Sequence, residues 1–129
     1  MGSVSRQFTN TPWESQVGYC RALQAGPQIF ISGTAPVDAE GNTVAPGDGY
    51  RQARRCFQII QQTLQAMNAD LSNVVRTRMY VTDISRWAEY GQAHQEFFGA
   101  YPPVTTMVEV KALIAPEMLI EIEAEALVF

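Results

Sequence analysis

Lysine and histidine are almost missing: Lys111 and His94 stand alone in 129 residues. Cysteine is little more plentiful, with only Cys20 and Cys56, 36 positions apart. A structural metal site draws four Cys, His or acidic ligands at short spacing, and a disulfide framework needs more cysteines than two. No metal and a reducing, cytoplasmic setting are therefore expected. Positive charge is also scarce, nine Lys and Arg against thirteen Asp and Glu, for a net charge of −4. A phosphate-backbone binder needs a basic face to release counterions, so no nucleic-acid partner is expected. No apolar run reaches the ~18 residues of a membrane span, and no charged-then-apolar leader opens the sequence, so no membrane association is expected. Gly47-Asp48-Gly49 precedes a helical segment but lacks a dinucleotide fingerprint and a phosphate-loop lysine, leaving a nucleotide site unsupported.

Apolar content, at 47% with 17% charged residues, is enough for one packed domain spanning 1–129. Val17 to Gln24 reads as a strand, Ala25-Gly26-Pro27 as a turn, and Gln28 to Gly33 as the returning strand of a hairpin. Asp38 to Gly49 is a loop by composition. From Asp48, a plausible N-cap, Ala53, Cys56, Phe57, Ile60, Leu64 and Met67 recur at three- and four-residue steps. That is the period of an amphipathic helix, here roughly 30 Å long. Val74 to Asp83 alternates, with Val75, Thr77, Met79 and Val81 on one face and Arg76, Arg78, Tyr80 and Thr82 on the other. A second helix starts near Ser85, with Trp87, Tyr90, His94, Phe97 and Phe98 sharing a stripe. Strands follow at Val104 to Leu113 and Leu119 to Phe129. In the last, Ile120, Ile122, Ala124, Ala126 and Val128 oppose Glu121, Glu123 and Glu125.

The resulting order, β-β-α-β-α-β-β, gives an α+β fold. Right-handed crossovers place both helices on one face of a mixed, mainly antiparallel sheet. The other face carries arginines, Tyr80 and the glutamate row, as an oligomer interface or a site would. Cys56 falls on the apolar stripe of the first helix and reads as a small buried hydrophobe. His94 reads as a helix histidine packed on the sheet with one hydrogen bond. The glutamate row, by itself, reads as a charged face paired across strands with Arg76 and Arg78 at ~0.2–1 kcal/mol per pair.

Five pieces taken together resemble a known family. They are Gly18-Tyr19 with Ile29-Phe30-Ile31-Ser32-Gly33, then Tyr80-Val81-Thr82-Asp83, Glu96-Phe97-Phe98, Pro103 with Val108-Glu109-Val110, and Ile120-Glu121-Ile122-Glu123-Ala124. In order and spacing, from about Glu14 to Phe129, the chain is similar to the RidA (YjgF/YER057c/UK114) family. The resemblance implies a chorismate-mutase-like (YjgF) fold and a homotrimer with small-molecule clefts between subunits. It implies cofactor-independent hydrolysis of 2-imino acids, or their enamine tautomers, to 2-oxo acids and ammonia. Carried over residue by residue, Tyr19 packs the substrate, the backbone at Ser32 and Gly33 holds its imine end, and Glu121 positions the attacking water. Thr105 stands where the family's Pro-Ala-Arg run has its arginine, in Pro103-Val104-Thr105-Thr106. The resemblance is to the branches that lack this arginine. The arginine clamps a carboxylate bidentately, which threonine cannot copy.

Two arginines are candidates to replace it. Arg21 lies two residues from Tyr19 on the strand expected over Val17 to Gln24, so both side chains leave the same face, about 7 Å apart along it; Arg78 shares a face with Tyr80. The leading expectation is a cleft protein hydrolysing an imine or enamine of altered specificity. The alternative is a non-catalytic ligand-binding or regulatory homotrimer. An endoribonuclease, a label attached to parts of the family, fits the net charge and the single histidine least.

Overall fold

The computed structural model describes residues 3–129, and the elements run β-α-β-β-α-β-α-β-β. They are β1 (Val4–Gln7), α1 (Pro12–Val17), β2 (Ala22–Ala25), β3 (Gln28–Thr34), α2 (Gly49–Ala66), β4 (Val74–Val81), α3 (Trp87–Phe98), β5 (Val104–Glu109) and β6 (Ile120–Leu127). One six-stranded sheet has the order β1-β2-β3-β6-β4-β5, antiparallel except for the β4–β5 pair. The expected α+β class, mixed sheet and helix-covered face are all present.

The core forms where α2 and α3 lie on that face. Ala53, Cys56, Phe57, Ile60 and Leu64 are completely buried, meeting Tyr90, Ala93 and Phe98 of α3. Phe57 and Phe98 stack edge to face, with ring centroids 5.4 Å apart. Asp48 caps α2 by accepting a hydrogen bond from the Arg51 N–H at 2.9 Å. Beneath the helices, Ile120, Ile122, Ala124 and Ala126 of β6 supply the sheet side of the core. Each large side chain buried here contributes roughly 1.5–3 kcal/mol. Among the described residues, no helix is long and apolar enough to cross a membrane.

Several local expectations are corrected. The strand expected over Val17 to Gln24 is only Ala22–Ala25; Val17 instead ends α1, and neither α1 nor β1 was anticipated. Glu14 builds the start of α1: its carboxylate accepts from the Thr9 and Thr11 hydroxyls at 2.6 and 2.9 Å and from the Thr9 N–H at 3.0 Å. Burial pushes the Glu14 carboxyl pKa up, but these hydrogen bonds outweigh it and hold the value below the ordinary one. Gly18 closes α1 at φ 89°, a left-handed conformation suited to glycine. Val75 is exposed and Val74 buried, because the β4–β6 register slips between Val74 and Arg76. The bulge turns the strict alternation over by one residue. Trp87 is 62% exposed, outside the α3 stripe. A 3-10 turn, Ile84–Arg86, precedes α3, and β5 ends at Glu109 rather than Leu113.

Candidate functional site

The glutamate row on β6 is sorted by its partners. Arg78 binds Glu125 at 2.9 Å and Glu123 at 3.4 Å, and the Tyr80 hydroxyl donates to Glu123 at 2.6 Å. Arg76 lies 3.6 Å from Glu125. Glu121 receives no hydrogen bond from any described residue and enters no ion pair. Arg78 is thereby committed to this row. It does not reach the cleft described below.

Glu121 stands beside an irregularity in the neighbouring strand. Ile31 pairs with Ala124 and Thr34 with Ile122, so Ser32 and Gly33 together oppose one residue of β6. Such a bulge re-aims the groups around it. Gly33 lets Glu121 come close: a Cβ there would press on the Glu121 carboxylate, lying 3.2 Å from its Cδ, and the carboxylate would have to move. The bulge is strapped to the segment before β2. The Ser32 N–H donates to the Arg21 carbonyl at 3.0 Å, and its hydroxyl donates to the Cys20 carbonyl at 2.8 Å. In return Arg21 Nη2 donates to the Gly33 carbonyl at 2.6 Å. Tyr19 follows the Gly18 cap, its N–H bonded to the Glu14 carbonyl at 3.0 Å. Its ring centroid lies 6.0 Å from the Arg21 guanidinium carbon, the outer limit of a cation–π contact.

These pieces wall a cleft of about 840 Å³, within the range of small-molecule sites. Tyr19, Arg21, Ser32, Gly33 and Glu121 all line it. Five of the seven residues singled out from sequence thus meet in one chain, Arg78 and Thr105 being the exceptions. Tyr19 and Arg21 arrive there without sharing a strand, since both precede β2. Thr105 does not join them. It sits exposed on the edge strand β5, where the Thr77 hydroxyl donates to its own at 2.7 Å. The Thr77 hydroxyl also bonds His94 Nε2 at 2.8 Å, so the α3 residue His94 is tied to β4 of the sheet by one hydrogen bond.

The electrostatics favour proton exchange at one group. Burial raises the Glu121 carboxyl pKa; Arg21 opposes this, and Glu123 adds to it. Burial lowers the His94 pKa, keeping the imidazole neutral at neutral pH. The Cys56 thiol, buried next to the cleft, is pushed far up by the same desolvation and stays a thiol. Both cysteines are free. Among the described residues, no three His, Cys, Asp or Glu side chains gather within reach of a metal ion.

Sequence reasoning missed the contribution of α2. Arg55, Ile59 and Gln62 line the cleft from one side. Their i, i+4, i+7 spacing marks a second stripe beside the core stripe, a signal available in the sequence. Trp13 of α1 and Leu113 and Ile114 of the β5–β6 connection add apolar wall.

The Endoribonuclease L-PSP family profile matches residues 9–128, nearly the whole chain. The chain belongs to this family, the YjgF/RutC/Rid group. A crystal structure of Rv2704, a Mycobacterium tuberculosis member of the YjgF/YER057c/UK114 family, is 44% identical with a TM-score of 0.89, covering 98% of this chain and 100% of that one. The Escherichia coli YjgF gene product is 27% identical at a TM-score of 0.81, over 95% of this chain and 97% of its own. A RutC family protein of Pyrococcus abyssi is 33% identical across 84% of each chain. As a member of the YjgF/Rid group, this chain carries threonine at position 105, outside its own cleft.

Proposed function

We propose that the chain works as a cytoplasmic homotrimer whose clefts hydrolyse a reactive imine, or its enamine tautomer, to a carbonyl compound and ammonia. Glu121 carries the reading. It is the one member of its row without a partner among the described residues, it is half-buried beside Gly33, and burial raises its pKa above the ordinary carboxyl value. A carboxylate in that state accepts a proton from water as the oxygen attacks the imine carbon. Glu121 hands that proton to nitrogen, giving a carbinolamine; it then relays the hydroxyl proton to the amine, so that the C–N bond breaks and ammonia leaves as the C=O forms. Tyr19 and Trp13 offer aromatic walls for the substrate. The backbone at the Ser32–Gly33 bulge holds the nitrogen end.

The trimer accounts for what the single chain leaves open. The helix-free sheet face exposes Phe30 at 42%, and the unpaired edge strand β5 exposes Val104 at 58% and Val108 at 41%. Covering them would also bring Thr105 of one chain toward the boundary with the next. The decisive assay is ammonia release from freshly generated 2-iminobutanoate by the wild type and Glu121→Gln. Loss in the variant with an unchanged melting curve at pH 7 or a modestly higher one supports the reading; equal rates refute it. A second reading, ligand binding without turnover, is favoured by Thr105, which lacks the forked donors of the arginine it replaces. It requires saturable binding with no ammonia release above the uncatalysed rate.

A further inference from the structure

The eight arginines of the chain fall into three groups. Arg54, Arg76, Arg78 and Arg86 are held in ion pairs. Arg6 and Arg51 are exposed. Arg21 is buried and Arg55 half-buried, among the described residues neither is held in an ion pair with a carboxylate, and both line the same cleft.

Their hydrogen bonds leave donors over. Arg21 is 6% exposed and gives one side-chain bond, from Nη2 to the Gly33 carbonyl at 2.6 Å, while its Nε is buried with no partner. Arg55 gives one bond, from Nε to the Val37 carbonyl at 2.7 Å, so both of its terminal amines remain for another acceptor. A buried guanidinium with an unmet N–H, as in Arg21, is costly to keep unless an acceptor completes it, and the free terminal amines of Arg55 line the same cleft. We infer that Arg21 and Arg55 together form an anion seat in the cleft, built from the segment before β2 and from α2, for the carboxylate of a small organic acid.

This deepens the proposed function and rests on reading the cleft as a ligand site. A planar monoanion suits the seat better than phosphate does. The cleft also contains Glu121, half-buried, and the loop carboxylates of Asp38 and Glu40, which a dianion would meet at closer cost. Asp38 is partly occupied, accepting from the Glu40 and Asn42 N–H groups. A carboxylate held by Arg21 and Arg55 shares the cleft with Glu121, so one small molecule can span both. The seat would replace the forked donor that Thr105 lacks, from a different part of the fold.

Calorimetric titration of the full chain tests the seat without needing turnover. The probes are 2-oxobutanoate, uncharged 2-butanone and inorganic phosphate. The expected result is saturable binding of 2-oxobutanoate alone. Arg55→Gln should weaken it by about 10–100-fold, the loss of one charge-assisted pair. Arg21→Lys, which keeps the charge in a strapped position where alanine risks unfolding, should weaken it about tenfold by losing the fork. Arg51→Gln, on the same helix but exposed, should change nothing. Unchanged affinity in Arg55→Gln, or no binding of 2-oxobutanoate by the wild type, overturns the seat. Equal binding of phosphate or 2-butanone overturns the carboxylate assignment. The hydrolysis reading fails separately, on undiminished ammonia release by Glu121→Gln.

Discussion

Gln52 is completely buried in the first turn of α2 and bonds two segments distant in sequence. Its Nε2 donates to the Glu117 carbonyl at 2.9 Å and more weakly to the Ala45 carbonyl at 3.3 Å, and its Oε1 accepts from the Leu119 N–H at 2.8 Å. It thereby fixes the turn from which β6 sets out, two residues before Glu121. Replacement by leucine keeps the volume and removes all three bonds. The two short ones leave the Glu117 carbonyl and the Leu119 N–H without their partner, at ~1–3 kcal/mol each, so Gln52→Leu should cost about 2–6 kcal/mol. For a domain of this length an unfolding entropy near 2.1 cal/mol/K per residue makes each kcal/mol worth about 4 °C, hence a fall of ~7–22 °C in Tm. Thermal melts followed by circular dichroism, both proteins at one concentration, read this directly. A drop below ~2 °C would refute the reasoning, showing that water or another side chain satisfies the turn.

Light scattering should give about three times 14.3 kDa; a monomer at micromolar concentration removes the trimer and the role given to β5. Gly33→Ala puts a methyl on the Glu121 carboxylate, which must swing away; displacement on that scale should lower activity about 10²-fold. Its melting curve should barely move, because a flexible side-chain end yields, and full activity in this variant would mean that Glu121 is not where the chemistry happens. Burial raises the Glu121 pKa in the fold, so the folded chain binds that proton more tightly than the unfolded one. Its contribution to stability is complete below the ordinary carboxyl value and is lost as pH rises through the raised value. Glu121→Gln should therefore gain in Tm relative to the wild type as pH rises from the ordinary carboxyl value through the raised one, and a difference that stays constant with pH would contradict the burial.

What the amino-acid order determined by itself was whatever repeats along a regular element. The α2 stripe from Ala53 to Leu64 and the alternation of β6 are periodic, and burial of one face leaves them no other arrangement. The partnering of Glu123 and Glu125 followed from the same logic, since opposite charges on facing strands meet wherever the register puts them. β1 and α1 escaped because they are short and mostly exposed, and α1 starts on one glutamate gathering donors from Thr9 and Thr11. Bulges escaped too: one extra residue turned Val75 outward and opened β3 at Ser32 and Gly33, and no period records an insertion. The cleft is the clearest case of what only the tertiary structure decided. Arg21 looks like a strand-end charge in the sequence, and becomes a buried, under-bonded cation only because β3 folds back over it and offers the Gly33 carbonyl. Arg55 and Glu121 are 66 residues apart in the chain, and their meeting depends on how α2 crosses the sheet. Side-chain desolvation and the choice of partner are properties of that crossing, so charge and motif could name candidates while packing alone assembled them.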